Sequence, residues 1–209
     1  MSTTYSQLGQ DQSVLEFYKN KREGYFIEVG ASDGVEFSNT FLLEKEYGWK
    51  GICVEPLPGK MDDLKKNRPN SICIDKAVYN KTGLKLNFDI AHNFDLLSGL
   101  SDTICHLHKE RVDNNKTTIV VETITLDDML EQANAPSFID YMSLDVEGVE
   151  FEILQACDFS KHTFGLIDVE HNWIEPKRSQ IRDLLLSNGY VYLKENKWDD
   201  SYAHESSVI

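Results

Sequence analysis

No apolar stretch approaches the roughly 18 residues that a membrane span needs, and the opening MSTTYSQLGQDQ lacks the basic-then-apolar pattern of a secretory signal. No Pro/Gly/Ser-rich run is long enough to be a linker. Only 5 prolines and 12 glycines are spread over 209 residues, so the chain reads as a single domain, 1–209, of a size that buries a real core. Basic residues are scarce too: 21 Lys and Arg stand against 35 Asp and Glu, a net charge of −14. Such a surface repels phosphate backbones and anionic bilayers, which argues against nucleic acid or membrane as the main partner. A neutral or cationic ligand suits it better. The 4 cysteines, at positions 53, 73, 105 and 157, form no CxxC pair, and two of them sit in apolar runs where a thiol acts as a small hydrophobe. The expectation is a soluble, reduced, cytoplasmic protein; nothing in the sequence fixes its oligomeric state.

What the chain does contain is an alternation. Short β-rich runs at 25–30, 51–55, 71–78, 141–146, 164–170 and 190–194 are mostly bounded by Gly, Pro or Asp. Helical patterns lie between them, at 11–21, 38–47, 60–67 and 178–188. Near-continuous apolar strands alternating with helices predict a mostly parallel sheet covered on both faces, wound by right-handed crossovers into a doubly wound, Rossmann-like α/β fold. Residues 84–124 interrupt this rhythm with two strand-like runs around a polar segment holding Asn93, Ser98, His106 and His108. That insertion either shapes ligand specificity or is a plain surface hairpin with a connecting helix. His106 and His108, two residues apart, point to different helix faces and read as surface histidines.

In a doubly wound fold, ligands bind beyond the carboxyl ends of the strands, at the switch in strand order. The first strand runs into Gly30-Ala31-Ser32-Asp33-Gly34. The two glycines allow a close backbone approach, and Glu28 and Asp33 put carboxylates beside it. A pyrophosphate fingerprint wants G-x-G-x-x-G, whereas the spacing here is G-x-x-x-G with two acids crowding the turn. A ligand with an ammonium group, a carboxylate and no phosphate fits better, which describes S-adenosylmethionine. Glu55, ending the second strand about 20 positions on, suits the two hydroxyls of a ribose, and Asp75, after the third, suits an adenine amino group. The fourth strand ends in Asp145 and Glu147, and the fifth in Glu170, His171 and Asn172, groups able to bind a metal or move a proton.

The stretches FIEVGASDGVEFSNT, GWKGICVEP, VETITLDDML and SLDVEGVEFEIL resemble, in order and spacing, the FkbM family of S-adenosylmethionine-dependent methyltransferases. The resemblance runs from SQLGQDQ to WDDSYAH. It implies a seven-stranded methyltransferase sheet, mostly parallel with an antiparallel C-terminal strand, and O-methylation, frequently of sugar hydroxyls in glycans or glycosides. Position by position it assigns Glu28, Gly30, Ala31, Asp33 and Gly34 to the donor-binding turn, Glu55 to the ribose, and Asp75 with Ala77 to the adenine. It places Ser38 and Asn39 near the donor's methionine end, and Gln7, Gln10 and Asp11 in a segment closing over the donor.

A sugar hydroxyl is a poor nucleophile at neutral pH and needs a base or a metal. One expectation is therefore Mg²⁺ or Mn²⁺ on Asp145, Glu170 and His171 or Asn172, as in catechol-type O-methyltransferases, with Glu147 or His171 taking the proton. The alternative is a metal-free site in which His171 is the base and Asp145 orients it. Three other readings stay open: methylation of a non-sugar small molecule, a nicotinamide-dependent oxidoreductase on the same fold, and a non-catalytic binding module.

Overall fold

In the computed structural model of the chain the described residues are 4–92, 97–104 and 106–208, with the side chains of 106–108 left out. Asn93 and the side chains of His106 and His108 lie outside them. Seven strands form the main sheet: β1 (Tyr25–Val29), β2 (Lys50–Val54), β3 (Ile72–Ile74), β8 (Phe138–Leu144), β9 (Thr163–Glu170), β10 (Tyr190–Asn196) and β11 (Asp199–His204), in the order β10-β11-β9-β8-β1-β2-β3. β1, β2, β3, β8 and β9 pair in parallel, and β11 enters antiparallel between β9 and β10. The fold is a doubly wound, Rossmann-like α/β sheet, and its direction of winding reverses between β1 and β8. Among the described residues no helix is long and apolar enough to cross a membrane.

Side-chain alternation along the buried strands feeds a separate core on each face. Ile27 and Val29 of β1 pack with Met142 and Leu144 of β8 and with apolar residues of α5 (Leu126–Gln132), α6 (Glu150–Gln155) and α7 (Lys177–Ser187). Phe26 and Tyr141 pack on the other face against α1 (Gln10–Phe17), α2 (Phe41–Tyr47) and α3 (Pro58–Asn67). α2 stops at Gly48, whose φ of +71° closes the helix where a side chain would be strained.

The interrupting segment builds a second sheet. β5 (Lys85–Ala91) and β7 (Lys116–Ile124) pair antiparallel, joined by β4 (Ala77–Val78) and β6 (Gly99–Leu100) in the order β4-β7-β5-β6, with α4 (His106–Asp113) connecting β6 to β7. Phe88, Leu100, Val121 and Ile124 join the core on the α5–α7 side, so the segment is an integral layer and not a free hairpin. The single strand expected over 71–78 divides: β3 stays in the main sheet, and after Asp75 and Lys76 the chain crosses to the second sheet as β4. α5, absent from the expected helices, has its signal at the N-cap, where the Thr125 hydroxyl accepts the Asp128 N–H at 3.1 Å.

Candidate active site

The carboxyl ends of β1, β2, β8 and β9 open into a cavity of about 410 Å³, roofed by the second sheet and by the segment before α1. It lies at the topological switch, where the fold places ligands. Gly30, Ala31, Ser38, Asn39, Glu55 and Ala77 line it, and so do Asp145, Glu147, Glu170 and Asn172.

Gly30 is required by packing. Its φ is +90°, and a Cβ there would lie 2.0 Å from the Asp145 carbonyl oxygen, so only glycine lets the ends of β1 and β8 meet. Its N–H and that of Ala31 both donate to the Val54 carbonyl at 3.0 Å, tying the turn to β2. Glu55 completes that tie. One carboxylate oxygen accepts the Ser32 N–H at 2.8 Å and the other the Leu57 N–H at 2.9 Å. Burial pushes the Glu55 carboxyl up while those two N–H groups and Lys60 pull it down. Each oxygen keeps a lone pair for a hydroxyl donor.

Four expected donor residues are placed elsewhere. Glu28 lies on the opposite side of β1 from Ile27 and Val29, 3% exposed. Its carboxylate accepts from Ser38 Oγ (2.9 and 3.0 Å), the Asn39 N–H (2.6 Å), Thr40 Oγ1 (2.7 Å) and Arg68 Nη1 (3.1 Å), which saturates it. Its part is to hold the chain after the turn. Asp33 folds back on the turn itself, accepting the N–H groups of Val35 and Glu36 at 2.9 and 3.0 Å. A Cβ on Gly34 would meet the Arg68 and Leu64 side chains at 2.7 Å, so that glycine makes room for α3. Asp75 is exposed at the crossover and does not line the cavity, whereas Ala77 does. Glu28 shares its face of the sheet with Ser143 and Asp168, so its bonds and not strand parity keep it from the ligand, and its neutralising partner stands 40 residues later in sequence.

Asn39 offers a direct mark of a ligand. Its Nδ2 donates to Ser143 Oγ at 2.8 Å, and its buried Oδ1 has no partner. An orphaned acceptor lining a cavity is costly unless a donor group meets it. The segment before α1 closes the same cavity. Gln7 and Gln10 line it, and the Ser6 backbone bridges to Phe37. Fully buried Asp11 holds this strap by accepting from Thr4 Oγ1 (2.7 Å), Ser6 Oγ (2.8 Å) and the Tyr5 N–H (2.8 Å).

Acidic groups concentrate at the far wall. Carboxylate oxygens of Asp145, Glu147 and Glu170 come within 4.8 Å of one another. Burial, reinforced by Glu147 and Asp199, pushes the Asp145 carboxyl well above the usual range. Burial and then Asp145 and Glu147 do the same to Glu170. Behind them burial raises Glu150 to about 7, although its carboxylate takes the Val146 and Gly148 N–H groups. Burial raises Asp199 to about 6, against a 2.7 Å bond from Gln10 Nε2. A wall so crowded with carboxyls favours protons or a cation.

His171, expected as base or metal ligand, is not part of this wall. Its Nδ1 accepts the Trp173 N–H at 2.9 Å, and its Nε2 faces Asp200 Oδ1 at 3.4 Å. Asp200 is held on the α7 side by Arg178 and Arg182. Burial opposes its charge, but His171 and Arg178 hold the Asp200 carboxyl well below the usual range. The ring continues the parity of Ile167 and Val169 along β9, one step from Glu170, and Asn172 and Trp173, at φ +46° and +54°, reverse the chain directly after it. Of the four expected metal ligands, Asp145 and Glu170 come together, Asn172 lines the cavity, and His171 faces the other side of the sheet.

Sequence reading missed the buried Arg68 and the aromatic rim of Phe37, Trp173 and Trp198. Arg68 had one available signal: a buried acid on β1 calls for a cation. Backbone strain gathers at the same place. Ser32, Phe37, Glu147, Asn172 and Trp173 all line the cavity with positive φ, a concentration typical of ligand sites.

Solved structures of similar fold include the METTL16 MTase domain, 10% identical with a TM-score of 0.52, over 98% of this chain and 70% of that one. Precorrin-6y C5,15-methyltransferase from Geobacter metallireducens is 10% identical with a TM-score of 0.47, over 92% and 86%. A TehB-like SAM-dependent methyltransferase from Corynebacterium glutamicum is 8% identical with a TM-score of 0.48, over 95% and 88%. At 10% identity the likeness to the METTL16 domain speaks for the fold alone. No curated protein matches the chain significantly. The methyltransferase FkbM domain family matches over residues 28–192, the stretch holding the glycine turn, the Glu55 strand end and the acidic wall, and the chain belongs to that family.

Proposed function

We propose that the chain transfers the methyl group of S-adenosylmethionine to a hydroxyl oxygen of a carbohydrate. The observation that carries this is the cavity itself: a buried acid at the end of β2, Glu55, shares it with an orphaned acceptor, Asn39 Oδ1, and a wall of carboxyls that favours cationic charge. A donor with a ribose, an ammonium group and a sulfonium matches each of these, while a nicotinamide dinucleotide brings a pyrophosphate that the acids would repel. Methyl transfer is an in-line displacement in which positioning supplies much of the rate. What remains is to take the hydroxyl proton. Asp145 and Glu170 supply that base, since burial holds both carboxyls well above the usual carboxylate range and so makes them better proton acceptors than a free carboxylate.

A second reading assigns the carboxylates of Asp145, Glu147 and Glu170 to a divalent cation. Their oxygens lie within 4.8 Å of one another and are hard donors of the kind that hold Mg²⁺. Such an ion would lower the pKa of a bound hydroxyl. Exhaustive chelation separates the two: activity that survives it belongs to the carboxyl base, and activity lost and restored by Mg²⁺ or Mn²⁺ belongs to the ion.

Donor binding is tested first by calorimetry with S-adenosylmethionine, NAD and NADP. The expected outcome is binding of the first alone. Glu55→Ala should then weaken it by about 1.5–3 kcal/mol, or roughly 10- to 150-fold, the scale of a hydrogen bond to a charged group. An unchanged affinity removes Glu55 from the donor site.

A further inference from the structure

We propose that Trp173, paired with Trp198 in the cavity that Phe37 also lines, is the platform on which the acceptor's pyranose ring stacks, and that His171 is the positioning residue that sets Trp173 in place. The proposal rests on reading the cavity as a methyl-transfer site. Trp173 is 52% exposed and Phe37 43% exposed, and both line the cavity. Both sit on left-handed backbone, at φ +54° and +59°. A large aromatic side chain that is neither buried nor on relaxed backbone, at a cavity mouth, is spending stability on binding.

The chemistry selects the ring. A pyranose has an apolar C–H face and a hydroxylated edge. The indole takes the first, and the polar groups of Asn172, Glu147 and Gln7 in the same cavity take the second. Trp173 and Trp198 meet edge to face, with centroids 6.3 Å apart and an 82° angle. The pair therefore offers single faces and not the parallel slot that would grip a flat phenolic acceptor.

His171 works through Trp173. Its Nδ1 accepts the Trp173 N–H at 2.9 Å, and its carbonyl accepts the Ile174 N–H at 2.8 Å, closing the left-handed turn. With Nδ1 occupied as an acceptor, the other ring nitrogen, Nε2, faces Asp200 at 3.4 Å. Asp200 is gripped by Arg178 at 2.7 and 3.0 Å and by Arg182 at 3.0 Å. His171 thus stands between Asp200, held by the α7 arginines, which its Nε2 faces without a hydrogen bond, and Trp173, which its Nδ1 holds.

The test titrates methyl α-L-rhamnopyranoside, methyl α-D-glucopyranoside and catechol into the chain, with and without S-adenosylhomocysteine, following tryptophan fluorescence. Of the three tryptophans Trp49 is fully buried, so a shift reports the rim. Glycoside binding is expected. Trp173→Ala should weaken it at least tenfold, Trp173→Phe less than threefold, and both should leave donor affinity within twofold. His171→Ala should raise the glycoside KM about tenfold at near-constant kcat. His171→Asn, whose side-chain oxygen can accept the same N–H, should restore most of that. Three results overturn the proposal: no glycoside response, a response to catechol alone, or a His171→Ala defect confined to kcat. If the wild-type chain binds no S-adenosylmethionine, the donor reading fails, while the glycoside arm without added nucleoside still decides the platform.

Discussion

Replacing Arg68 by Met will destabilise the folded chain by about 3–5 kcal/mol, the scale of breaking a buried ion pair from one side. The Arg68 side chain is 0% exposed and lies between Glu28 and Glu44. Nε donates to Glu44 at 2.7 Å, Nη1 to Glu28 at 3.1 Å and to the Gly34 carbonyl at 3.2 Å, and Nη2 to Thr40 Oγ1 at 2.7 Å. Met fills similar space but leaves two buried carboxylates uncompensated. Urea unfolding measures the loss. The triple variant Arg68→Met, Glu28→Gln, Glu44→Gln should recover most of it, because the cost lies in the unpaired charges. Because Glu28 also anchors Ser38, Asn39 and Thr40, the single variant should weaken donor binding as well. A loss below about 1 kcal/mol, the range of an exposed pair, contradicts this account of Glu28.

The second large effect falls on the acidic wall. Asp145→Asn and Glu170→Gln should each cut turnover by about 10²- to 10⁴-fold, the range of general-base catalysis, with donor affinity changed far less. The wall also predicts a pH signature. Burial raises the folded-state pKa values of Asp145 and Glu170, and Glu150 reaches about 7 from an ordinary 4.5. The native state therefore holds more protons than the unfolded state, so this group's contribution to stability is most favourable below the ordinary carboxylate pKa. It declines as pH rises through the folded values, for Glu150 between 4.5 and about 7. A sulfonium placed against the wall should expel protons. Calorimetry in buffers of different ionisation enthalpy should show greater proton release for S-adenosylmethionine than for S-adenosylhomocysteine, which lacks that charge. Equal release would separate the wall from the reacting methyl group.

Legibility in the sequence followed locality. The glycine turn after β1, Glu55 at the end of β2, and Asp145 and Glu170 after β8 and β9 were readable because strand ends and their flanking residues are fixed by a few neighbours in sequence. All line the cavity, apart from the turn's distal half. Asp33 and Gly34 were misplaced because an Asp two residues before free N–H groups prefers to close its own turn, and because the crowding at Gly34 comes from α3, which the local pattern does not reveal. Glu28 and His171 share one difficulty: the partner that occupies each, Arg68 or Asp200, lies far along the chain. The second sheet was half visible. Its antiparallel pair was readable as two strand-like runs, but recruitment of Ala77–Val78 depends on non-local pairing with β7.

The central claim is most directly tested by incubating the chain with S-adenosylmethionine carrying a labelled methyl group, in separate reactions with a panel of pyranosides and with RNA. Label should appear as a methyl ether on a pyranoside and be absent from RNA, and it should vanish with Asp145→Asn. Label in RNA, with none in any pyranoside, would contradict the account.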